Sequence, residues 1–144
     1  MPVFPKVFIK SIEFSKLDLD GVLDFVSKNH DCQVVNQGIV FGEKHIIHSV
    51  YQALKAFRSG KGLAHYEGME FLLRVSAEKQ ITKAVKLCEP RKRSVFVSWS
   101  PRAEEKFKEF KKRFKVKEKR LKEYPEEKVK EAMEKTAVFP YVQL

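Results

Sequence analysis

The chain has 144 residues, 43% hydrophobic and 12% aromatic, with a formal net charge of +10 and a pI of about 9.6. This suits one folded domain over 1–144 and argues against a disordered chain; no apolar run reaches membrane-spanning length and no signal-peptide core is visible, so a cytoplasmic protein is expected. The positive charge points to an acidic partner, nucleic acid first, and the Lys/Glu-rich composition is thermophile-like.

Taken in chain order, 6–10 alternates as a strand, with Pro2 and Pro5 before it. Asp18 is placed to cap a helix whose inner side is Leu19, Val22, Leu23 and Val26. Asn29, His30 and Asp31 are turn residues, and 32–41 reads as a second extended stretch broken at Gly38. A helix is expected to start at Gly42 or Glu43, with Glu43 favoured by the helix dipole. Its apolar stripe is Ile46, Val50, Ala53, Leu54 and Phe57, with His48, Gln52 and Lys55 on the other side. Gly60 and Gly62 stop it, and the Gly-flanked loop 61–68 is suited to shaping a binding surface.

Met69, Phe71, Leu73 and Val75 alternate with Glu70, Leu72 and Arg74, which is strand spacing. Ser76 then reads as the cap of a helix burying Ala77, Ile81, Ala84, Val85 and Cys88. A basic turn at 90–93 leads to a strand carrying Val95, Val97 and Trp99. Ser100-Pro101 is a helix start, and Ala103, Phe107, Phe110 and Phe114 follow at helical spacing under a lysine surface that reads as helix as far as Lys122. A short helix is expected over 126–135, with Val129, Ala132 and Met133 inward, and an extended edge segment over 136–144. The fold class expected is α+β: one domain with a mixed, mostly antiparallel sheet flanked by helices.

Few residues carry catalytic chemistry. His45 and His48, three apart on a helix, fit a metal pair, but no third ligand completes it, and two partly exposed imidazoles at a helix start are the plainer reading. Ser76, Ala77, Glu78 and Lys79 spell the nucleophile motif S-x-x-K, yet no companion motif accompanies it and a capping serine is ordinary there. The six glycines are dispersed, so there is no phosphate loop. Cys32 and Cys88 read as buried thiols. No catalytic residue, metal or cofactor is assigned. The segment 101–124 holds eleven Lys or Arg against five Glu, which reads equally as a solvated face or as a phosphate-tracking surface.

The run 44–50, then Ala53, then 69–76, then Gln80-Ile81 and Ala84 resembles one family, the small kinase-binding subunit of the KEOPS complex, which forms threonylcarbamoyl-adenosine on tRNA. The similarity is clearest over 32–100. Where that family has Gly after the serine, this chain has Ala77. The resemblance implies a non-catalytic regulatory subunit that binds and supports the complex's small atypical kinase/ATPase and recruits tRNA by its single-stranded 3′ CCA end. A single-stranded end offers phosphates to cations and bases to rings. On that basis Lys44, His45, Lys55, Arg58, Arg74 and Lys79 are the candidate tRNA contacts. The apolar tail residues Val138, Phe139, Tyr141, Val142 and Leu144 are the candidate kinase contacts, with an edge strand as the alternative. The rival functions are a free-standing RNA-binding module without a kinase partner and a small hydrolase built on Ser76 or the histidine pair.

Overall fold

A computed structural model describes the backbone of residues 5–142 and the side chains of 5–136. Pro2 and Leu144 lie outside the described residues. Four strands, β1 (Phe8–Phe14), β2 (Cys32–Asn36), β3 (Arg93–Ser98) and β4 (Val116–Lys119), form one antiparallel sheet in the order β2-β3-β1-β4. The helices are α1 (Leu19–Ser27), α2 (Glu43–Arg58), α3 (Glu67–Ser76), α4 (Ile81–Cys88), α5 (Ala103–Phe114) and α6 (Glu126–Val142). The α+β class expected from the pattern is the one observed, with every strand pair antiparallel.

Strand alternation sends side chains to opposite faces, and here both faces are covered. Cys32, Val34, Ile12, Phe14 and Phe96 meet α1 and α5 on one side. Val35, Val95 and Val97 meet α2, α3 and α4 on the other. The α1/α5 side is a cluster of rings centred on Phe110, whose centroid lies 5.3 Å from Phe25, 5.3 Å from Phe96 and 4.7 Å from Phe114. The spacing 103, 107, 110, 114 lays one stripe of α5 against the sheet. Ser100 Oγ accepts from the Arg102 amide at 3.1 Å just before α5, and Asp18 Oδ1 accepts from the Gly21 amide at 3.0 Å to cap α1. Leu23, expected inward, is exposed; Phe25 takes the buried place.

Four sequence expectations are corrected. Residues 69–75 form the core of helix α3, not a strand. Phe71 to Val75 are all buried, because α3 is enclosed by α2, α4 and α6, and a helix wrapped on all sides loses its polar face. Ser76 therefore ends a helix instead of starting one: its hydroxyl donates to the Leu72 carbonyl at 2.6 Å, and α4 begins only at Ile81. Ala77 sits just past the end of α3 in the left-handed region, φ 54° and ψ 36°, a conformation that glycine adopts without strain.

The lysine-rich helix stops at Phe114, and Lys115 turns the chain through φ 50° into β4. This strand was hidden because only Val116 is apolar; its charges suit a sheet edge that must not pair with another chain. Finally, 136–142 is not extended. Helix α6 runs on to Val142 and packs across α2 and α3, with the buried Thr136 hydroxyl donating to the Arg74 carbonyl at 3.0 Å.

Candidate nucleic-acid interface

Helices α2 and α3 lie side by side, joined by the loop 59–66. The joint is held by a carboxylate with no solvent exposure. Glu70 Oε1 accepts from the Leu63 amide at 2.6 Å and the Ala64 amide at 3.1 Å, while Oε2 faces Arg74 Nε at 3.2 Å. Glu70 and Arg74 are one helical turn apart, so α3 itself presents both. A buried pair persists only when its remaining lone pairs and protons are also met, and the loop amides meet those of Glu70. Gly62 is required at this point: a Cβ there would lie 2.8 Å from Glu70 Oε1 and 3.1 Å from Phe57 Cα.

The loop so braced displays Lys61, Leu63, His65 and Tyr66 at the surface. Tyr66 is 47% exposed, and its ring rests on the His30 imidazole, centroids 3.9 Å apart and 32° between planes. Glu67 joins this edge to the core, accepting from Trp99 Nε1 at 3.0 Å and pairing with Arg58 at 3.4 Å. Lys28 and Lys106 enter the same cleft of about 330 Å³, with Lys106 held by Asp31 at 2.7 Å. Cations beside an exposed ring are the elements that single-stranded nucleotides use, phosphates on the former and bases on the latter.

The candidate tRNA contacts divide into three groups. Lys55 and Arg58 lie in the last turn of α2, next to this loop. Lys44 lies in the first turn, eleven residues away and so roughly 16 Å along the axis. Lys79 follows the end of α3, which meets the start of α2, so it belongs to the Lys44 end. The other two are buried. The Arg74 side chain is spent on Glu70 with 2% of the residue exposed, and it presents no guanidinium to an RNA. His45 is 1% exposed; its Nδ1 accepts from the Phe41 amide at 3.0 Å and the ring also meets the Val75 backbone. Burial, with His48 one turn away, pushes the His45 pKa down to about 4. His45 is thus a neutral internal brace at the α2 start and not a surface imidazole.

Among the described residues no three His, Cys, Asp or Glu gather as metal ligands. Cys32 and Cys88 are free and buried, and burial raises their thiols to about 11 and about 12. The candidate kinase contacts Val138, Phe139, Tyr141 and Val142 fall on the last turns of α6. The sequence reading marked loop 61–68 as a surface but missed its ring partner: His30 and Tyr66 are 36 positions apart, and only the fold stacks them. A family model described as kinase binding protein CGI-121 matches residues 16–138, from the turn before α1 into α6. No curated protein matches the chain.

Proposed function

The chain belongs to the kinase binding protein CGI-121 family, and from that premise we propose that it is the non-catalytic KEOPS subunit that binds and supports the complex's atypical kinase/ATPase and recruits tRNA by its unpaired 3′ CCA end. The observation that supports RNA recruitment is the loop after α2, braced by buried Glu70, where the exposed Tyr66 shares a cleft with Lys28 and Lys106 and its neighbour Glu67 pairs with Arg58. A duplex hides its bases, whereas an unpaired end lays them against such a ring. The test is a titration of intact tRNA and of tRNA lacking CCA at one salt concentration. Intact tRNA should bind more tightly, and Tyr66→Ala should remove most of that preference, since stacking contributes about 1–3 kcal/mol per base. Equal affinity of the wild-type protein for both RNAs would overturn the reading.

The kinase contact is assigned to the α6 end and the tail, 138–144. Deleting this segment should weaken kinase affinity by calorimetry more than tRNA affinity, in a protein first shown by circular dichroism to be folded. Unchanged kinase affinity and unchanged ATPase stimulation would move the contact elsewhere. Alone, the subunit should turn over neither ATP, RNA nor acyl donors. An activity that co-purifies with it and vanishes in Ser76→Ala or His48→Ala would revive the hydrolase alternative.

A further inference from the structure

The surface cations fall into two populations. Those on α5 and its neighbours are mostly neutralised: Arg102 by Glu105, Lys106 by Asp31, Lys111 by Glu118 and Arg113 by Asp24. At one end of the sheet they are not. There the antiparallel register gathers three turns distant in sequence. Glu13 on β1 stands opposite Arg93 on β3 and Lys117 on β4. The Phe14 amide donates to the Lys92 carbonyl at 2.9 Å, and Phe14 stands opposite Val116. Lys16 is two residues past Phe14, and the left-handed Lys115 opens β4 at the same end. Adjacent strands lie about 4.8 Å apart, so the Arg93 and Lys117 backbones are roughly 10 Å apart across β1.

Lys16, Arg91, Lys92, Arg93, Lys115 and Lys117 are all exposed, and none of them forms an ion pair with another of the described residues. Three nearby carboxylates are committed: Glu13 is held by Lys119 at 3.7 Å, Glu118 by Lys10 and Lys111, and Asp18 caps α1; the exposed Glu89, two residues before Arg91, offsets only one of the six cations. Among the described residues, the exposed large hydrophobics are Leu23, Leu63, Tyr66 and Leu87, and none lies in these turns. The rim therefore has charge without rings or apolar anchors. It offers nothing on which bases stack and none of the buried aromatic anchors on which protein interfaces depend. What it matches is a dense row of phosphates: a duplex carries about one charge per 1.7 Å of axis, several across this width.

We propose that this rim is a second RNA surface, which grips the phosphate backbone of a base-paired segment without reading sequence, separate from the loop that takes the unpaired end. The inference rests on RNA being the partner, and it assigns the two surfaces different work. The rim supplies salt-dependent affinity and orientation; the loop supplies the preference for an unpaired end.

The probe is a blunt-ended RNA duplex, which has no single-stranded end for the loop. The full chain should bind it with a steep salt dependence. Lys92→Glu with Arg93→Glu and Lys117→Glu should weaken binding roughly tenfold or more at low salt, and should flatten the slope of log K against log salt by about two to three. Arg91→Gln with Lys92→Gln alters only the turn before β3, leaves the strand pairing intact, and should give a smaller loss of the same sign. On tRNA with and without CCA, the variants should lose affinity by one common factor and keep the wild-type ratio between the two. Duplex binding unchanged in both variants overturns the rim, whatever the two tRNAs show. Unchanged duplex binding with lost kinase affinity overturns it too and makes the rim a contact for an acidic protein surface. Equal wild-type affinity for the two tRNAs would instead defeat the CCA reading, while the duplex arm still decides the rim.

Discussion

The two faces of the sheet are built on different principles. The α1/α5 face is rings on rings, Phe14, Phe25, Phe96, Phe107, Phe110 and Phe114, with the Cys32 thiol among them. The α2/α3 face buries comparable apolar residues but threads polar groups among them: Glu70, Arg74, His45, Ser49 and Thr136. Three of these groups hold backbone outside their own helix. Glu70 holds the 63–64 amides, His45 holds the Phe41 amide, and Thr136 ties α6 to α3. The ring face thus contributes stability by area and packing alone, whereas the polar face uses part of its interior to fix a loop, a helix start and an additional helix.

The sharpest way to break the comparison is one truncation on each face. Glu70→Ala removes the carboxylate that faces the buried Arg74 guanidinium and should cost about 3–5 kcal/mol. Phe110→Ala opens a cavity at the centre of the ring cluster and should cost about 3–5 kcal/mol as well. Their consequences for function should differ. Below its melting temperature the Glu70 variant should show faster amide exchange at Leu63 and Ala64 and a lost preference for intact tRNA, while the Phe110 variant keeps both as in the wild type. Slow exchange at those amides in Glu70→Ala would show that the loop stands without its brace.

Acid provides a second contrast. The folded-state pKa of His45 lies near 4, below the ordinary imidazole value of 6.5, so the unfolded chain takes up a proton that the folded chain refuses. Stability from this residue is complete above about pH 6.5 and declines as pH falls toward 4, by about 3 kcal/mol in all. His48, lowered in the same direction by burial, adds to the slope. Denaturant melts across that window should show the decline, and His45→Asn, whose side-chain oxygen can still accept from the Phe41 amide, should flatten it. A wild-type profile with no slope there would place the His45 imidazole in water.

The smallest effect is the most local. Ala77→Gly should stabilise by about 0.5–1 kcal/mol, because the left-handed cost to alanine exceeds the added chain entropy of glycine. Ala77 holds a position where the backbone itself asks for glycine. A loss of stability in this variant would mean that the alanine methyl packs usefully against the end of α3.

How far the sequence reached follows from how many neighbours each element has. Helix α2 was legible over 43–58 because one side meets the core and the other meets water, which is the condition for a clean 3.6-residue period. The Phe stripe of α5 was legible for the same reason. The resemblance that located the chain among kinase-binding proteins rests on that same central stretch. Helix α3 was not legible: packed on all sides, its run of apolar residues imitates strand alternation. Arg74 looked like an RNA contact because sequence does not reveal that a cation faces inward toward a carboxylate one turn before it.

Local pattern by itself determined the α+β class, the cap at Asp18, the excess of positive charge and the surface loop after α2. Tertiary structure alone decided which charges are spent and which are free. Exposure and pairing depend on what packs against a residue from elsewhere in the chain: α2, α4 and α6 close over α3 and take Arg74 out of the surface, Tyr66 finds His30 across the fold, and the sheet register collects Lys16, Arg93 and Lys117 into one rim. Those meetings are long-range contacts, and a periodicity read within one element carries no information about them.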